Sequence, residues 1–171
     1  MYRNFLFGGL VQCENCSSKM TSCFTNKRTG KKLKRYYYYR CTSTLRQDWQ
    51  TCPVKQISAE RLENFCLENL ERISIDKNYI ENLVFRLNND FQSGCRAGYE
   101  LPEVCSKFSF ENISNTLKFF LVRLKKSKGI ERNFFAKRFL SKILYSLETI
   151  KIHFALRGSA ASFEHTIWLR G

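Results

Sequence analysis

Cys13-Glu-Asn-Cys16, then Lys27-Arg-Thr-Gly-Lys-Lys-Leu-Lys-Arg-Tyr-Tyr-Tyr-Tyr-Arg40-Cys41, then Cys52, is the stretch whose reading decides the fold. As spacing it is C-x2-C, 24 residues, and C-x10-C. The first pair is a knuckle, in which two thiolates grip one metal across a tight turn. The second pair is wider and brackets a loop. Four thiolates in a short segment fill a tetrahedral Zn²⁺ shell with no open position for water, which predicts one structural metal held by Cys13, Cys16, Cys41 and Cys52. The competing readings are buried or disulfide-linked cysteines, and a rubredoxin-like iron site, for which two knuckles are expected. Cys23 has no partner cysteine at knuckle distance.

The segment between the half-sites predicts a hairpin. Lys19-Met-Thr-Ser-Cys-Phe-Thr25 and Leu33 to Arg40 have strand composition, and Asn26 to Lys31, with Gly30, reads as the turn. Lys19, Lys27, Arg28, Lys31, Lys32, Lys34, Arg35 and Arg40 crowd this small element. Strand alternation sends Arg35, Tyr37 and Tyr39 one way and Tyr36, Tyr38 and Arg40 the other. Interleaved rings and charges suit a nucleic acid, with phosphates supplying affinity and a few side chains reading base edges. The plain alternatives are a solvated charged face and tyrosines serving as ribbon core.

Charge along the chain has the same leaning. Residues 1–60 carry 11 basic and 3 acidic side chains, residues 61–110 carry 6 and 8, and residues 111–171 carry 12 and 4. Two cationic ends therefore flank a mildly acidic middle, and polyanions are the expected partners. No run reaches the roughly 20 apolar residues of a spanning helix, so no membrane partner is expected. Phe5 to Val11 is short for a signal core, and Gln12 is wrong before a cleavage site. Clustered thiols at metal spacing, with Cys66, Cys95 and Cys105 scattered, point to a reducing cytoplasm.

The expected fold class is α+β: a small zinc β-ribbon over residues 1–57, a helical region over 58–156 with a closing strand, and a tail over 157–171. Ser58 caps a helix carrying Leu62, Phe65, Cys66, Leu70 and Ile73 on one face. Asp76 caps a second, and Ser114 a third with Leu117, Phe120, Leu121 and Leu124. A helix over about 131–147 repeats Phe135, Phe139, Ile143 and Leu147. Ile150, Ile152, Phe154 and Leu156 then alternate as a half-buried strand. His153 and His165 are the only histidines, and no catalytic motif is present, so no enzyme and no small-molecule substrate are expected.

Phe5-Leu-Phe-Gly-Gly-Leu-Val-Gln-Cys13, Cys16, Lys19-Met20, Tyr36-Tyr-Tyr-Tyr-Arg-Cys41, Cys52 and Ile57-Ser-Ala-Glu-Arg-Leu-Glu63, in that order, resemble the recombinase zinc β-ribbon domain of large serine recombinases. The resemblance is specific over residues 5–70 and weaker beyond, where only residues 131–156 look like the end of that domain. It implies a module that binds double-stranded DNA, with Lys19, Lys27, Arg28, Lys31, Lys32, Lys34, Arg35, Tyr37 and Arg40 as candidate contacts and other recombinase protomers as partners. It also implies a catalytic serine domain, which these residues do not contain, so a C-terminal piece of a recombinase is expected. Two features depart from the family. Ser17 stands where a glycine is usual, which predicts a slightly distorted knuckle. Residues 76–128 offer two helices without sustained heptads, so the family's coiled-coil arm is expected to be shortened. The alternatives to DNA binding are a zinc-stabilised protein- or RNA-interaction domain and a non-functional remnant.

Overall fold

A computed structural model describes residues 5–30, 32–95, 108–155 and 162–169. Among these residues, two sheets and four longer helices share one core. Strand β1 (Val11–Cys13) leads into the first knuckle. Strands β2 (Met20–Thr29) and β3 (Lys32–Cys41) form the long hairpin, paired antiparallel from Met20 opposite Cys41 to Thr29 opposite Lys32. A single turn of helix, α1 (Ser43–Arg46), opens the Cys41–Cys52 loop, and β4 (Gln56–Ser58) completes the ribbon sheet in the order β2-β3-β4.

Helix α2 (Ala59–Ile75) starts where expected. The Ser58 hydroxyl accepts from Arg61 N at 3.5 Å, and Leu62, Cys66, Leu70 and Ile73 are buried on one stripe. Its neighbours are α3 (Lys77–Cys95) and α4 (Phe110–Lys126). The Asp76 carboxylate accepts from Tyr79 N at 3.0 Å at the start of α3. Ser109, not Ser114, caps α4, accepting from Asn112 N at 3.2 Å. Ser114 lies buried one turn inside, where Phe110 and Ile113 already follow the helical stripe. Residues 96–107, including Cys105, lie outside the described part.

Two expectations for the C-terminal region need correction, the extent of the last helix and the tail. Helix α5 (Gly129–Phe139) ends eight residues before 147, and Leu140–Tyr145 is strand β5. Ile143 and Leu147 continue a helical spacing by coincidence. Ile143 is buried between two neighbouring strands, and its amide donates to Leu10 O at 2.9 Å, whereas Leu147 is exposed in the following turn. The closing strand forms where expected, and it has neighbours. Strand β6 (Thr149–Ala155) sits inside a four-stranded sheet ordered β1-β5-β6-β7. Finally, the expected tail supplies β7 (Ser162–Trp168), whose Phe163 and Ile167 are buried opposite Phe154 and Ile150. The Phe154 and Phe163 rings stack with centroids 4.2 Å apart. Short polar strands with two or three apolar residues carry too weak a period to stand out, and here the pairing partner supplies the order.

One sheet joins residues from both sides of the expected boundary at residue 57. β1 pairs parallel with β5, Val11 opposite Ile143 and Cys13 opposite Tyr145, so the first metal ligands are part of the C-terminal sheet.

Candidate metal centre and nucleic-acid interface

The four ligand candidates come from three places in the chain. Cys13 ends β1, Cys16 closes the knuckle, Cys41 ends β3, and Cys52 follows the α1 loop. Their sulfurs all lie within 4.8 Å of one another, with Cys13 and Cys52 at 3.5 Å and Cys16 and Cys41 at 3.3 Å. Four sulfurs about 2.3 Å from one ion stand about 3.8 Å apart, so the cage fits Zn²⁺. Cys13, Cys41 and Cys52 are fully buried. Cys13 N donates to Ser18 O at 2.8 Å, and Cys41 N donates to Lys55 O at 2.8 Å, so both half-sites are clamped by backbone. The chemistry is that of a closed structural zinc site.

Thiol ionisation is uneven. Burial pushes the Cys13 and Cys41 thiols up. At Cys16 burial also acts upward, but hydrogen bonds from Ser43 and Ser18 outweigh it and hold the thiol down at about 6. Zinc must therefore displace protons from buried thiols, and retention weakens as pH falls.

Ser17 has φ of 56°, in the left-handed region that favours glycine. The knuckle forms in spite of the substitution, at the cost of local backbone strain. Glu14, between the two knuckle cysteines, ties the site to the C-terminal sheet. Its N–H donates to Tyr145 O at 2.9 Å, and its carboxylate pairs with Lys151 and accepts from Thr149 Oγ1 at 3.0 Å. The Lys151 hydrogen bond holds that carboxyl below its usual range.

Strand register sorts the hairpin into two faces. Lys27, Lys32, Lys34, Tyr36, Tyr38 and Arg40 share one face, and strand alternation puts Lys19 at its base. Arg28, Arg35, Tyr37 and Tyr39 share the other. On the first face Lys27 Nζ and Lys34 Nζ stand 5.7 and 5.2 Å from the Tyr36 ring centre. On the second, Tyr39 is buried, its hydroxyl donating to Glu63 Oε1 at 2.8 Å and accepting from Phe7 N at 3.0 Å. Tyr37 is half-buried, with Phe5 edge-on at 5.8 Å, and Arg35 stacks on Phe24 at 4.4 Å. The structure thus brings Lys19, Lys27, Lys32, Lys34 and Arg40 together and sets Arg28, Arg35 and Tyr37 behind them. Lys31 lies outside the described residues.

Trp49, Lys55 and Gln56, which carry no signal in the hairpin sequence itself, join the first face. Trp49, from the Cys41–Cys52 loop, lies under Arg40 at 5.4 Å and Lys55 at 5.5 Å. Arg40 is steadied by Gln56, whose Oε1 accepts from its Nη2 at 2.9 Å. A lone tryptophan inside a metal-bracketed loop was the available signal.

The fold and site together define a four-cysteine zinc β-ribbon packed on a helical and sheet body. Residues 6–71 match the family model of the recombinase zinc beta ribbon domain. Over those residues the chain is therefore similar to a recombinase zinc ribbon. Among solved structures, the chain is similar to one described as a crystal structure of an LSR–DNA complex, with 17% identity and a TM-score of 0.55, covering 91% of this chain and 57% of that one. A second similarity is to a structure from a study of sequence requirements of the Listeria innocua prophage attP site, with 15% identity and a TM-score of 0.49, covering 88% and 42%. The chain thus spans little more than half the length of the first of these. No curated protein sequence matches it. Among the described residues, no helix is long and apolar enough to cross a membrane.

Proposed function

We propose that this chain is a DNA-binding module of a serine site-specific recombinase, in which the zinc-held hairpin enters the major groove of duplex DNA. The observation that carries the reading is the face shared by Lys27, Lys32, Lys34, Tyr36, Tyr38 and Arg40 on a recombinase-type ribbon. Ten-residue strands extend about 33 Å, and a two-stranded ribbon fits a groove about 12 Å wide. Lys19, Lys27, Lys31, Lys32 and Lys34 contact phosphates, with Arg28 and Arg35 reaching the opposite groove wall. Tyr37 works mainly by bracing the hairpin against Phe5 and Phe24. Arg40, oriented by Gln56 on its Nε and Nη2 and by Trp49 beneath it, offers the remaining end of its guanidinium to a base edge. Strand exchange is supplied by a serine-nucleophile domain outside these residues, and the partners are other recombinase protomers. Zinc-bound thiols suit a reducing cytoplasm.

Fluorescence anisotropy with a recombinase attachment-site duplex and a random duplex tests the reading. Tighter binding to the attachment site, weakening steeply with salt and lost on Lys32→Glu with Lys34→Glu, is the expected result. Equal affinity for both duplexes, or a shallow salt response, rules out the specific form.

A further inference from the structure

The ribbon accounts for the first cationic end of the chain and leaves the second, residues 111–171, without a role. From Lys118 to Lys142 the sequence carries nine basic residues and one acidic residue, Glu131. These residues fall on the second half of α4, on α5 and on the corner between them, with Lys142 just inside β5. At the corner Lys125, Ser127, Lys128, Gly129 and Arg132 line an open recess of about 440 Å³ with no carboxylate in its wall. Arg132 Nε donates to Leu124 O at 2.9 Å, which fixes its guanidinium at the rim. Lys125 is steadied by Glu71 at 2.9 Å. Lys126 and Lys128 are exposed and have no ion-pair partner among the described residues. The first turn of α5 lacks a side-chain cap, so its amides also face the corner.

We infer that this α4–α5 corner is a second phosphate-contact site, taking the sugar–phosphate backbone of the duplex that the ribbon holds. The inference rests on the duplex-binding reading above. Its geometry is set by α5, whose Asn133 Nδ2 donates to Leu6 O at 2.9 Å and Gly8 O at 3.2 Å, beside the root of the ribbon. One turn further on, a Cβ at Gly9 would sit 3.4 Å from Lys137 Nζ, so the cations continue from the corner towards the ribbon. A rigidly attached row of cations matches a stiff polyanion. An anionic membrane surface fits less well, because the exposed positions of α5 run Ile130, Glu131, Phe134, Lys137 and Arg138 without a continuous apolar stripe.

The test measures the salt dependence of duplex binding for the wild type, Lys126→Gln with Lys128→Gln, and Lys32→Gln with Lys34→Gln, after zinc content and circular dichroism show each variant folded. Each phosphate contact contributes about 0.9 to the slope of log K against log salt, so the corner variant should flatten it by up to about 1.8. Its ratio of affinities for attachment-site and random duplex should stay unchanged, because phosphates carry no sequence. An unchanged slope overturns the inference and leaves the ribbon reading intact. A slope lowered by the corner variant alone supports the corner and removes the ribbon contacts. Corner-dependent binding to phosphatidylserine vesicles, with the duplex slope unchanged, overturns the inference in favour of a lipid surface.

Discussion

Ser17 holds a left-handed backbone at the zinc knuckle, with φ of 56°, and that conformation costs an L-residue about 1 kcal/mol or more. Ser17→Gly should therefore stabilise the zinc-loaded protein by about 0.5–1 kcal/mol, less than the full strain because glycine also loosens the unfolded chain. Denaturant unfolding at saturating zinc measures it, and a loss of stability would show that the Ser17 side chain contributes more than its backbone strain costs. The opposite kind of residue is Tyr39, whose hydroxyl serves the buried Glu63 carboxylate and the Phe7 amide together. Tyr39→Phe removes both hydrogen bonds while keeping the ring, and should cost about 2–4 kcal/mol. A change below about 1 kcal/mol on unfolding would mean that water replaces the hydroxyl.

At the scale of elements, the metal site belongs to two sheets at once. Cys13 ends a strand of the C-terminal sheet, and Cys41 ends the central strand of the ribbon. Removing zinc should therefore loosen more than the ribbon. Hydrogen exchange after chelation is expected to speed at Cys13 and Cys41, and also at Ile143, whose amide bonds to Leu10 O in the chain leading into β1. Amides of α4, which packs on α2, α3 and α5, should hold longer. Native mass spectrometry should find one zinc, lost on Cys41→Ser. The hairpin and the Ser58-capped helix were readable from composition, since tyrosine-rich strands and a Ser-x-x-Arg start with Glu60 in the first turn are local signals. β5 was not. Its Ile143 fits a helical repeat as well as a strand, and only the flanking β1 and β6 backbones choose between them.

For the molecule as a whole, His165 links its last strand to its helices. It lies on the core side of β7, with Tyr79 of α3 edge-on at 5.2 Å, and burial holds its imidazole below the usual range. The unfolded chain binds that proton more readily, near pH 6.5, so this contribution to stability is full above about pH 6.5 and is lost progressively as pH falls from there through the lower folded-state value. Between about pH 7.5 and 5.5 the melting temperature at saturating zinc should fall less for His165→Gln than for the wild type. Equal falls would place the titration elsewhere, with His153 or the zinc thiols.

The cysteine spacing, the cationic tyrosine strand and the helix after Cys52 were determined by the sequence alone, because thiolate valence, strand alternation and helix capping act over a few residues. Only the tertiary structure decided that Cys13 is shared with the C-terminal sheet, that residues 162–168 are a strand, which ribbon face gathers the lysines with Trp49, and that α5 sets a second cationic corner beside the ribbon's root. Each of those depends on pairing between segments far apart in the chain, and such pairing is settled by the burial and backbone hydrogen bonds the whole fold gains, not by local periodicity.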